Sequence, residues 1–114
     1  MSRVNGKRRV KGSMGTIVYV PCEVEPGMFR GEYLVSLTAY DPREPGKQVP
    51  VKLFADERDI KSIQGSPERR KPVKALLRVA VANKGKGFAE VVFPQPAQPV
   101  GNSALFEENL LEAV

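Results

Sequence analysis

Five stretches of this chain alternate apolar and polar residues with a period of two, and proline or glycine bounds each of them. Residues 15–24 put Val18, Val20, Cys22 and Val24 on one side and Tyr19, Pro21 and Glu23 on the other. Residues 32–40 put Tyr33, Val35, Leu37 and Ala39 on one face and Leu34, Ser36, Thr38 and Tyr40 on the other. Val49, Val51, Leu53 and Ala55 line one face of residues 48–55. Val73, Ala75, Leu77, Val79 and Val81 do the same in residues 73–82, and residues 88–93 supply a fifth run. Successive side chains of an extended strand point to opposite faces, so these are half-buried strands. Five such strands in one short chain leave long open edges unless the sheet closes, and a small barrel is the economical closure.

The segments between the stripes fit this reading. Pro26-Gly27, within residues 25–31, suits a type II turn, and residues 41–47 form a hairpin loop with two prolines and a glycine. Residues 83–87 are a glycine-rich hairpin tip. Pro21 and Pro50 have no N–H to give a ladder, so their strands lie at an edge, a bulge or a bend there. Residues 56–63 break the alternation. Asp56 can cap a short helix whose inner face carries Ile60 and Ile63. Residues 94–102 hold three prolines and read as an extended, polyproline-like linker. Residues 103–114 read as a helix with Ser103 at its N-cap, Glu107 and Glu108 early, and Phe106, Leu110 and Val114 on one stripe.

The predicted organisation is therefore a basic flexible arm (1–13), a small β-barrel domain (14–93), a linker (94–102) and a C-terminal helix (103–114). The fold class is mainly β: a five-stranded antiparallel barrel with one short inner helix and a C-terminal helix. Its element order is similar to that of the OB-fold, in order only, and an SH3-like barrel fits as well.

Composition removes several chemistries. With 114 residues, the chain suits one domain. It has no His, hence neither the commonest general base nor the commonest zinc ligand. Its one cysteine, Cys22, can make no internal disulfide, and its place on an apolar stripe reads as a buried thiol in a reducing cytoplasm. No run of 18 apolar residues is present to span a membrane. Asp56, Glu57 and Asp59 read as a helix start rather than a metal site, with Arg58 and Lys61 among them. Neither 12–16 nor 84–87 has the Gly-Lys-Ser/Thr ending of a phosphate loop. Nothing selects a catalytic group, so the expectation is a protein that is not an enzyme and needs no cofactor or metal.

The charge is placed unevenly. Five of the 18 basic residues, Arg3, Lys7, Arg8, Arg9 and Lys11, fall in the first 11 positions with no acid among them. The other 13 are matched by the 13 acidic residues. An arm of this kind neutralises phosphates without reading sequence. It equally suits a solvated tail, and Met14 after Gly12-Ser13 is an alternative start. A second group is Arg69, Arg70 and Lys71 with Lys74, and Lys84 and Lys86 occupy the later hairpin. In an OB-type barrel the loops after the first and fourth strands flank the binding face. Arg30 falls in the former, beside Phe29, and Lys84 and Lys86 fall in the latter. Phe29, Tyr33 and Tyr40 are the rings on which a base would stack, while Tyr19, Tyr33 and Tyr40 equally suit packed strand positions. The expected function is a non-catalytic nucleic-acid-binding module. The alternative is a protein-interaction or regulatory subunit, a homodimer included, that uses the C-terminal helix or an exposed strand edge.

Overall fold

The computed structural model describes residues 15–44 and 46–113. The arm residues Arg3, Lys7, Arg8, Arg9 and Lys11 lie outside them. Eight strands follow in order: β1 (Ile17–Pro26), β2 (Glu32–Tyr40), β3 (Gln48–Asp56), β4 (Ile60–Lys61), β5 (Val73–Gly85), β6 (Phe88–Ala97), β7 (Gly101–Glu107) and β8 (Glu112–Ala113). All pairings between them are antiparallel. The sheet runs β3-β2-β7-β6-β5-β1-β8, and a direct β1–β2 pairing closes β1, β2, β7, β6 and β5 into a five-stranded barrel. Along β3, the N–H and C=O of Lys52 both bond Gln98, just past β6, at 2.9 and 2.8 Å.

The period-two stripes make the interior. Val20, Cys22 and Val24 of β1, Val35, Leu37 and Ala39 of β2, and Val51, Leu53 and Ala55 of β3 are buried. So are Ala75, Leu77, Val79 and Val81 of β5. The remainder of the core comes from Ala89, Val91, Phe93 and Ala97 of β6 and from Ala104 and Phe106 of β7.

The prolines stand where no ladder bond is required of them. Val81 N–H donates to Thr16 O, so the even-numbered residues of β1 turn their backbone to β5 and Pro21 turns the other way. On that side β1 pairs with β8 at Val18 and Tyr19 and with β2 from Glu23, leaving Pro21 in the gap. Pro50 shares the orientation of Lys52, away from β2, so the β2–β3 ladder loses nothing to it.

Four expectations need correction. The C-terminal helix is absent. Among the described residues, 103–113 contribute to β7, then a single 3-10 turn (Glu108–Leu110), then β8, and Val114 lies outside them. Ala104 and Phe106 also alternate with Ser103, Leu105 and Glu107, and the open edge of β6 takes that period-two option by pairing from Phe88 to Val92. Leu110, assigned to a helical stripe, is 42% exposed. The short inner helix is a 3-10 turn of three residues (Glu57–Asp59). Asp56 does cap it, its side chain accepting the Arg58 N–H, but Ile60 enters the core from β4, opposite Leu77. Residues 94–102 are not a free linker: β6 continues to Ala97 and β7 begins at Gly101. Pro94 and Pro96 fall in the stretch where β6 skips its ladder with β7, between Val92 and Ala97. Finally, Gly27 does not take the positive φ of a type II turn. It is needed for contact, because a Cβ there would lie 2.8 Å from the Glu32 side chain.

Candidate nucleic-acid interface

The outward faces of β2 and β3 form one surface. Leu34, Ser36, Thr38 and Tyr40 stand opposite Phe54, Lys52, Pro50 and Gln48 in that order. Phe54 lies out of phase with the buried Val51, Leu53 and Ala55, so the strand that supplies the core also turns a ring toward solvent, 41% exposed. A cleft sits at each end of this surface, about 20 Å apart by the rise of the six residues from Gln48 to Phe54.

The first cleft, of about 300 Å³, is lined by Phe29, Arg30, Glu32, Phe54, Asp56 and Gln95. The β1–β2 turn that carries Phe29 is held by Glu32, whose carboxylate accepts the N–H groups of Met28 and Phe29 at 2.9 and 3.3 Å. The side chains of Met28 and Phe29 consequently face outward, 75% and 70% exposed. Arg69, Arg70 and Lys71 belong to this end, because the Arg70 N–H donates to Glu25 Oε1 at 3.0 Å, at the close of β1. Neither Arg30 nor these three cations forms an ion pair with a described carboxylate.

The second cleft, of about 380 Å³, lies at the other end, between the close of β2 and the β5–β6 hairpin. Tyr40 and Phe88 meet edge to face, with ring centroids 5.4 Å apart. The Tyr40 hydroxyl donates to Glu107 at 3.3 Å. Lys84 is paired with Glu108 at 2.7 Å, whereas Lys86 stands at the exposed tip with φ +55° and no described partner. Asn83, Glu90 and Leu105 also line the cleft. The Gly15 N–H donates to Val81 O, so the chain enters the described structure at this same end.

The structure thus brings Phe29 together with Arg30, and Tyr40 with Lys84 and Lys86, while Arg69, Arg70 and Lys71 join the Arg30 end. Tyr33 stands apart from both groups, half-buried and packed against the core from the inward stripe. Sequence reasoning passed over Phe54, Lys52 and Phe88. Phe54 carried a signal, an aromatic on the polar phase of a strand. Phe88 carried none, since its place depends on the β2–β7 contact.

The remaining singled-out groups have structural partners. Asp56 and Asp59 meet Arg58 and Arg78 at 3.6 and 3.7 Å. Burial, with a smaller push from Glu23, raises the Cys22 thiol to about 12. No helix among the described residues is long and apolar enough to cross a membrane. No protein-family model, curated protein or solved structure matches this chain.

Proposed function

We propose that this chain is a non-catalytic, cytoplasmic module that binds single-stranded nucleic acid across the outer face of β2 and β3. The observation that carries the reading is the cleft at the β1–β2 turn, where two exposed rings, Phe29 and Phe54, stand beside the unpaired Arg30. Single strands are held by stacking of bases on aromatic faces and by cations along the backbone. Lys52 lies on the path between the clefts, Lys86 supplies charge at the far end, and the basic arm adds five cations from outside the described residues. We read the chain order β1, β2, β3 and then the β5–β6 hairpin, with Lys52 of β3 bonding Gln98 just past β6, as OB-like, and this supports the same proposal, although β7 rather than β3 stands between β2 and β6 in the barrel.

The test is fluorescence anisotropy of labelled oligo(dT) and oligo(U) over a salt series. Binding should weaken along a straight line in log salt, and Phe54→Ala should weaken it by about 1–3 kcal/mol. No binding at low salt overturns the proposal.

A protein partner is the second reading, favoured by the seam between β1 and β2. There, among the described residues, β1 between Tyr19 and Glu23 and β2 between Ser36 and Tyr40 have no strand on their facing sides, above a cleft of about 810 Å³. Such an edge can take an extended segment as an added strand. That association would survive salt.

A further inference from the structure

The cleft walled by Tyr40 and Phe88 carries more than stacking surface. Asn83 and Glu90 face each other across the β5–β6 ladder, directly opposite in register. Cross-strand partners of this kind hold their side chains side by side on one face. Both side chains line the cleft. Each is also fixed in what it can offer. The Asn83 Oδ1 accepts the Lys84 N–H at 2.9 Å, which leaves its NH₂ as a donor. The Glu90 Oε2 accepts the Ser103 hydroxyl at 3.0 Å, which sets the carboxylate plane. Among the described residues, Oε1 has no partner, and Oε2 keeps a second lone pair.

The wall therefore presents one donor next to a two-oxygen acceptor. Its complement is an acceptor next to two adjacent N–H donors. Of the nucleobases, guanine alone has that edge: O6, then N1–H, then the 2-amino group. Adenine and cytosine offer one donor, with a ring-nitrogen acceptor that would face carboxylate oxygen. Thymine and uracil offer a single N–H flanked by two carbonyls. The cleft volume falls in the range of small-molecule sites, and the two rings give the base a face to lie against. Lys86 at the rim is placed for the attached phosphate, while Glu107 and Glu108 are occupied by Tyr40 and Lys84.

We infer that this cleft is a guanine-binding site, with the Glu90 carboxylate taking N1–H and the 2-amino group and the Asn83 amide donating to O6. The inference rests on the single-strand reading for its choice of a nucleobase as ligand. The guanine can come from a strand or from a free nucleotide, and the experiment separates the two.

Anisotropy at fixed low salt would compare the labelled DNA pentamers TTGTT, TTATT, TTCTT and TTTTT. Backbone amide shifts of Asn83, Phe88 and Glu90 would be followed as guanosine monophosphate is added. TTGTT should bind about tenfold tighter than the other three, and the preference should fall to about twofold or less in Glu90→Gln, whose amide has one acceptor and repels N–H with its other arm. Equal binding of all four pentamers overturns the guanine site while leaving strand binding in place. A preference that persists in Glu90→Gln overturns the assignment of Glu90. Shifts with the mononucleotide, but no binding of any pentamer, support the guanine site and overturn the strand reading. Silence with both ligands overturns both.

Discussion

Asp41 carries the one buried charge among the described residues, at the turn where β2 ends. Its carboxylate accepts the backbone N–H and the guanidinium of Arg43, which itself reaches on to Pro99 O at 3.2 Å. The Arg43 side-chain bonds, then the backbone bond, hold the Asp41 carboxyl below the usual carboxylate range. A folded-state value below the unfolded one means stability that is present above the unfolded value, near pH 3.9, and lost as pH falls through the folded one. Asp41→Asn should therefore lower the urea midpoint at pH 7, and the gap from wild type should narrow below about pH 4. A gap independent of pH would assign the effect to shape instead of charge. Cys22 makes the opposite case, a group silenced by its surroundings. With the thiol at about 12, almost no thiolate forms near neutrality, so a thiol reagent should label Cys22 only after unfolding. Rapid labelling of the folded protein would contradict its place on the inward stripe.

The end of the chain shows how an element is chosen when two periods compete. Phe106, Leu110 and Val114 satisfy a helical spacing, while Ala104 and Phe106 satisfy a strand. A tail helix would have left β6 with an open edge, and pairing with β7 covers it while burying both Ala104 and Phe106. The two periods differ in a measurable way. Phe106 is 2% exposed and meets Phe93 edge to face at 6.4 Å, so Phe106→Ala should cost about 3–5 kcal/mol. Leu110→Ala should stay within about 0.5 kcal/mol, as an exposed substitution does. Equal losses at both positions would restore the helix. The contrast with β2 is instructive. Its bounds, 32–40, were legible from the alternation alone, because Val35, Leu37 and Ala39 had no competing period. The same holds for the inward faces of β1, β3 and β5. What could not be read locally was whatever depended on a distant partner: β7 on the edge of β6, Ile60 on Leu77, and Phe88 on Tyr40. Of the candidate site, the loop cations and Phe29 were legible as types on a turn, whereas the split of the cations between two barrel ends required the register.

At the scale of the molecule, charge and rings are divided between the two ends of the barrel. Arg30, Arg69, Arg70 and Lys71 stand at the β1–β2 end, and Lys84 and Lys86 at the other, where Gly15, the first described residue, also lies. Local acids temper each end, Glu25, Glu32 and Asp56 at the first and Glu90, Glu107 and Glu108 at the second. The barrel therefore carries no net charge, since its 13 bases and 13 acids cancel. Under the proposed function, long-range attraction to a polyanion would fall to the arm, and position along the face would fall to the rings. These two roles separate in a salt titration. Each phosphate contact on a single strand contributes a slope of about 0.7 in log affinity against log salt. Changing Arg3, Lys7, Arg8, Arg9 and Lys11 to glutamine should reduce the slope by up to about 3.5. Changing Phe29 and Phe54 to alanine should lower affinity at every salt concentration and leave the slope alone, because stacking releases no counterions. An arm variant that keeps the full slope would move the phosphate contacts onto Arg30, Lys52 and Lys86. A ring variant that binds as tightly as wild type would remove the Phe29–Phe54 cleft from the binding surface and leave binding to the Tyr40–Phe88 end and the arm.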